Sequence, residues 1–317
     1  MTTPHRYFDL RDEKGVLRIS IAVTLLVSAL GIVFGLVAGS YSITFDGFYS
    51  LIDASMSLLS LVVVNLITSF ATSTGLSRRL RDRFSMGFWH LEPMVLVLNG
   101  TLLISVALYA FFNAIVSILQ GGRELEFGWS IVYAAVTVIA CATIALVEAR
   151  ANRRIKSEFV RLDVKGWTMS ACITGALLVA FCIGYGVDGT SWAWIAPYID
   201  PFVLAMICVI IIPVPVSTIR RALADIFLVT PGDLKTHVDA VASAFVKEHG
   251  FLMYRAYVAR VGRSREIELY FIVPPDAPPR RIEEWDALRD IIGERIGGEG
   301  PNRWLTVVFT GDREWAE

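Results

Sequence analysis

Cysteine and histidine are scarce, four of each in 317 residues, and the cysteines at 141, 172, 182 and 208 form no C-x-x-C pair. A disulfide scaffold is excluded, and no thiolate and imidazole cluster for a borderline metal assembles in one place. Charge is scarce too: 19% of residues are charged, against roughly 25% in ordinary soluble domains. The formal net charge of -1 gives nucleic-acid binding no electrostatic support. No G-x-x-x-x-G-K-[ST] loop, G-x-S-x-G elbow or H-E-x-x-H pair occurs, so the familiar ATPase, hydrolase and metalloprotease signatures are missing. Coupling to an energy source would have to use an ion gradient. Low-complexity segments and internal repeats are absent as well. What is abundant is apolar surface, 55% of residues with a mean hydropathy of +0.57, which excludes disorder and leaves a membrane protein.

A hydrocarbon core of about 30 Å needs about 20 helical residues. Apolar runs of that length lie near 18–38, 43–70, 93–119, 127–148, 167–186 and 199–219, which predicts six transmembrane helices. The first run is longer than a signal-peptide core and follows a charged leader from Arg6 to Arg18, so it reads as a retained span. Arg6, Arg11, Lys14 and Arg18 precede it; Arg78, Arg79, Arg81 and Arg83 follow the second run; Arg150, Arg153, Arg154, Lys156 and Arg161 follow the fourth. The intervening loops hold Arg123 alone, and the sixth run exits through Arg220 and Arg221. Positive charge marks the cytoplasmic side, which places both termini in the cytoplasm of a multi-pass inner-membrane protein. The expected organisation is a leader over 1–17, a six-span domain over 18–222 and a soluble domain over 223–317.

After Thr230-Pro231-Gly232 the composition is that of a soluble protein. Leu234, Val238, Val241, Ala242 and Phe245 recur at helical spacing up to Gly250, and Ile267, Leu269, Phe271 and Val273 alternate as in a half-buried strand. With strands near 251–260 and 304–310 and a helix over 280–296, the order is helix, strand, strand, helix, strand, an α+β domain.

An Asp at a span centre costs roughly 2.5 to 3.5 kcal/mol on the insertion scale, so it normally faces a cavity, a partner or an ion. In the second run Asp46, Tyr49 and Asp53 stand at i, i+3 and i+7 on one stripe, with Ser50 and Ser57 close to it. Asp53 lies about 15 Å below the outer end, near mid-depth, and Asp46 only a turn or so inside. A packing role is the competing account of each. In the fifth segment Asp163 and Lys165 precede Trp167, Ser170, Cys172 and Thr174; an interfacial salt bridge with Trp167 as belt anchor is the plain explanation. Asp200-Pro201 reads as N-cap and N1 of the sixth helix. Glu92 with His90, and Glu148 with Arg150, sit at span ends and are expected to be solvated or paired. The cysteines read as packing residues, and Asp233, His237 and His249 as surface residues with metal binding as the alternative.

The stretch Gly39-Ser40, then Asp46-Gly47-Phe48-Tyr49-Ser50-Leu51-Ile52-Asp53, resembles the first and second spans of the cation diffusion facilitator (cation efflux) family of divalent-metal transporters. Gly87-Phe88-Trp89-His90-Leu91-Glu92-Pro93 resembles that family's entry to the third span, and Asp200-Pro201 its entry to the sixth. The resemblance covers nearly the whole chain. It implies a membrane all-α six-helix bundle with a C-terminal cytoplasmic α+β ferredoxin-like domain, and a homodimer in the lipid bilayer with that domain at the dimer contact. It further implies export of zinc, manganese, iron, cobalt or cadmium from the cytosol against protons, with no prosthetic group. The family's two second-span ligands map onto Tyr49 and Asp53. Its fifth-span pattern, counted from Asp163, falls on Gly166 and Ser170, so Asp46, Ser170 or Asp163 is expected to complete the ligand set. Oxygen-only ligation favours a harder ion such as Mn²⁺. A membrane-anchored metal sensor or structural dimer is the alternative function. A membrane-embedded enzyme is a third reading; it would need a nucleophile or acid pair near a headgroup, and Asp163 and His90 are too scattered to be assigned as one.

Overall fold

The computed structural model describes residues 13–71, 78–84, 86–155 and 158–317. The leader's Arg6 and Arg11, and Lys156 in the loop after the fourth run, lie outside them. Helices α1 (Glu13–Ala38), α2 (Tyr41–Ala71), α4 (Leu91–Leu119), α5 (Phe127–Ile155) and α6 (Glu158–Val187) correspond to the first five apolar runs, with a short α3 (Arg78–Arg83) between the second and third. The sixth run is not one helix. It divides into α7 (Ala196–Ile211) and α8 (Val216–Ile226) around turn residues 212–215, where Pro213 and Pro215 offer no N–H to a helical ladder. Among the described residues six segments are long and apolar enough to cross a membrane. The chain forms two compact units, Met1–Leu58 with Asn99–Ser217, and Leu59–Leu98 with Thr218–Glu317.

The first unit is built on an α5–α6 hairpin against which α1 and α7 pack. Small residues let the helices approach. Ala107, Ala110 and Ala114 of α4 meet Phe45 of α2 and Leu204, Ala205 and Cys208 of α7. Where α1 meets α2, a Cβ on Gly47 would stand 2.7 Å from the Ile32 nitrogen and 2.9 Å from the Ser28 carbonyl oxygen, so only glycine permits that crossing. Large apolar side chains such as Leu36, Ile139 and Ile210 stand exposed, as lipid contact requires. Cys141 and Cys208 are buried, as packing residues should be, whereas Cys172 and Cys182 are exposed.

Gly39 adopts φ +71°, the left-handed conformation that ends a helix, and the chain then turns directly into α2. Ser40 caps α2 by accepting from the Ile43 N–H at 3.2 Å, and it donates to Asp200 Oδ1 at 2.6 Å. The Tyr41 and Ser42 N–H groups also donate to the Asp200 carboxylate, at 2.9 and 3.3 Å, and the Ser42 hydroxyl donates to the Asp200 carbonyl at 2.9 Å. Asp200 is therefore not the N-cap of its own helix. That helix already begins at Ala196 with Pro197 in its first turn and carries Pro201 within it, which frees the Asp200 side chain to cap α2 instead.

In the second unit, β1 (Met253–Val261), β2 (Ser264–Ile272) and β3 (Arg303–Thr310) form a sheet in that order. β1 and β2 pair antiparallel, and β2 and β3 parallel. The parallel pair needs a crossover, supplied by α10 (Ile282–Ile296). α9 (Gly232–His249) and α10 cover one face, burying Val238, Phe245, Leu288 and Ile292 against Ile267, Leu269 and Phe271. The result is a ferredoxin-like α+β domain. Within this unit Glu92, at the start of α4, accepts two hydrogen bonds from Arg263 at 2.9 and 3.1 Å, so it is paired as expected, and the buried Trp89 donates to Asn302 at 3.2 Å. His237 lies 3.1 Å from the Ile296 carbonyl. His249 lines a cavity of about 240 Å³ with Asp276, Arg280 and Trp285.

Replacing Asp200 by Ala strands buried donors and should lower stability by about 1–3 kcal/mol, with Asp200→Asn milder because it keeps an acceptor. Thermal unfolding in detergent reads both, and an unchanged midpoint for Asp200→Ala would disprove the cap. A second expectation concerns pH. Arg295 donates to Glu248 at 2.6 and 3.0 Å, and this hydrogen bonding holds the Glu248 carboxyl below its ordinary value of 4.5. A carboxyl depressed on folding adds stability above its unfolded pKa, and that contribution disappears as pH falls through the folded value. Arg295→Ala should therefore lower the stability of the soluble domain at neutral pH, with the deficit closing in acid. A deficit independent of pH would assign the loss to packing.

Candidate functional site

The two anchors of α2, its cap and its glycine crossing, fix the rotation of the helix about its axis. The stripe Asp46, Tyr49, Asp53 consequently faces a cavity of about 190 Å³ inside the first unit, far more than a single water needs. Asp163 and Ser170 of α6 line the same cavity. All five candidate residues therefore share one space. Its remaining wall is largely apolar or weakly polar, with Thr137 and Cys141 from α5 and Ile207 and Ile211 from α7.

Each polar group is held differently. The Tyr133 hydroxyl donates to Asp46 Oδ2 at 3.4 Å, so Asp46 faces α5 at one end of the cavity. Tyr49 packs its ring on Phe45, with centroids 5.6 Å apart, which fixes where its hydroxyl can reach. Asp53 stands about 10 Å beyond Asp46 along α2, near the Asn99 side chain of α4 and within electrostatic reach of Asp163. Gly166 leaves a gap in the wall, for a Cβ there meets nothing within 4 Å. Among the described residues no three His, Cys, Asp or Glu side chains converge as a metal cage. Apart from the Cys141 thiol, the donors in the wall are carboxylates and hydroxyls, which suit a hard divalent ion that keeps part of its water shell.

Three expectations change. Asp163 lines the cavity, and no ion pair to Lys165 is found among the described residues. Trp167 is buried, 7% exposed, and donates to Ser20 Oγ at 2.8 Å, so it is a packing residue and not a belt anchor. Glu148, expected to be solvated or paired, is 2% exposed with neither carboxylate oxygen hydrogen-bonded among the described residues. A span-end position does not reveal burial, because helix α5 runs on to Ile155 and carries Glu148 inside the bundle. Asn99 escaped the sequence reading altogether. Its only signal is an amide within a long apolar run, which distance to Asp53 alone makes meaningful.

Fold and cavity together define a multi-pass helical membrane protein with a cavity among its helices that carboxylates and hydroxyls line in part. Residues 17–227 match the family model of the cation efflux transmembrane domain. The chain belongs to the cation efflux family and is a metal-cation transporter, not an enzyme. No curated protein matched the chain.

Gly166→Asp should add a fourth carboxylate to the cavity, beside Asp46, Asp53 and Asp163, without a clash at its Cβ. If position 166 faces the ion, Mn²⁺ will raise the thermal midpoint of this variant more than that of the parent, since tenfold tighter binding adds about 1.4 kcal/mol. Equal Mn²⁺ shifts in both would place position 166 outside the site.

Proposed function

We propose that the protein exports a divalent metal ion from the cytoplasm in exchange for protons, with the ion bound near mid-membrane by Asp53. The observation that carries this reading is the shared cavity of Asp53 on α2 and Asp163 on α6, which puts two formal negative charges from two spans around one space. Tyr49 and Ser170 add hydroxyl donors, and Asp46, a turn or so inside the far end, guards the outer vestibule. Protons and metal compete for the same carboxylates, because a protonated acid offers a cation little. That competition provides the coupling. Rocking of the helices around the site would expose it to each side in turn, and weak, partly hydrated ligation permits release.

The orientation rests on arginine. The segments around Arg79–Arg83 and Arg150–Arg161 belong on the cytoplasmic side by the positive-inside rule, which places both termini and the ferredoxin-like domain there, in a homodimer of the inner membrane. The oxygen donors Asp53, Asp163, Tyr49 and Ser170 favour Mn²⁺ over Zn²⁺.

Uptake of divalent metals into proteoliposomes under an imposed pH gradient tests the reading. Asp53→Asn should cut flux at least about tenfold, as loss of a metal ligand does, while Ser170→Ala, which removes one neutral donor, should retain part of it. Monodisperse parent protein that moves no metal would overturn transport and favour a membrane-anchored sensor.

A further inference from the structure

Glu148 lies near the arginine-rich end of α5, two residues before Arg150 and within a helix that also carries Arg153 and Arg154. Its side chain is 2% exposed. Beside it stand the Asp163 carboxyl of α6 and the Ser20 hydroxyl of α1. Yet neither Glu148 oxygen, nor Asp163 Oδ2, has a hydrogen bond of good geometry among the described residues. Ser20 is oriented by Trp167, whose indole N–H donates to its Oγ at 2.8 Å. The hydroxyl proton of Ser20 can serve only one neighbour at a time, and one proton shared between the two carboxyls satisfies only one oxygen of each, which still leaves buried carboxylate lone pairs without a donor.

Such an arrangement is expensive as packing. A buried ionised carboxylate without partners is strongly disfavoured, and two side by side repel. A Leu or Met at position 148 would fill the same volume without that cost. One divalent cation removes both defects, since two carboxylates neutralise its charge and it coordinates the idle lone pairs, with the Ser20 oxygen as a neutral third donor. Asp163 also lines the cavity that holds Asp53 and lies within electrostatic reach of it. The three acids thus form a series, Glu148, Asp163, Asp53, leading inward from the arginine-rich end. Adjacent sites of moderate strength let an ion enter and still leave.

We propose that Glu148, Asp163 and Ser20 form a second cation site, which takes a hard divalent ion at the arginine-rich end of the bundle and passes it to Asp53. The relay role rests on the transport reading above; the binding site does not. The test counts Mn²⁺ bound to the full-length protein in detergent, from the electron paramagnetic resonance signal of the free ion. Asp53→Asn should still bind one Mn²⁺ per chain, and adding Glu148→Gln in that background should weaken this binding at least about tenfold. Should the Gln variant not stay monodisperse, Glu148→Asp replaces it, keeping the charge but shortening the reach, and the same loss is expected. Mn²⁺ binding absent from Asp53→Asn, or indifferent to either change at Glu148, would overturn the second site and leave a packed acid pair. Parent protein that moves no metal but shows the Glu148-dependent Mn²⁺ would refute transport while retaining the site.

Discussion

An ionisable side chain in hydrocarbon must be supplied with partners, water or a counter-ion, and the helical bundle is arranged around the five acids that need them. Asp200 has three hydrogen-bond donors from the residues that start α2. Asp46 has Tyr133, and Asp53 and Asp163 have the cavity. Both Glu148 oxygens, and one oxygen of Asp163, are shut in without a hydrogen bond of good geometry among the described residues. The gradation is physical: the more completely the fold satisfies an acid, the more its role is structural, and the less it does, the more the site calls for an ion.

The structural acid serves the functional ones. Asp200 and Ser40 hold the first turn of α2, and Gly47 lets α1 approach that helix to backbone contact. Those anchors lie within two turns of Asp46, so the helix has no freedom to rotate its oxygen stripe away from α5 and α6. A site built on such a rigid element needs few ligands to be selective, and the modest donor set here agrees with an ion that must be released.

The second unit uses different physics. Its core is a conventional burial of helix faces on a sheet, joined to the start of α4 by the Arg263–Glu92 pair and the Trp89–Asn302 hydrogen bond. The Gly87 to Pro93 stretch thus has a structural account of its own. Gly87, at φ +81°, turns the chain so that Trp89 is buried and Glu92 meets the hairpin at Arg263.

Much of this was legible in the order of residues. Hydropathy marks the six apolar runs, periodicity marks the helix, strand, strand, helix, strand order of the tail, and the spacing of Asp46, Tyr49 and Asp53 puts them on one stripe before any coordinates exist. These are properties of a single helix or strand, and a local period suffices to read them. What joins separate helices was not legible. That Asp200 caps a helix whose first residues lie 160 positions earlier, that Asn99 reaches Asp53, that Asp163 turns inward, and that Glu148 is buried beside it all depend on how α1, α2, α4, α5, α6 and α7 pack. Only the tertiary structure decides which oxygens share a cavity, because burial and proximity belong to pairs of helices and no period along one chain encodes them.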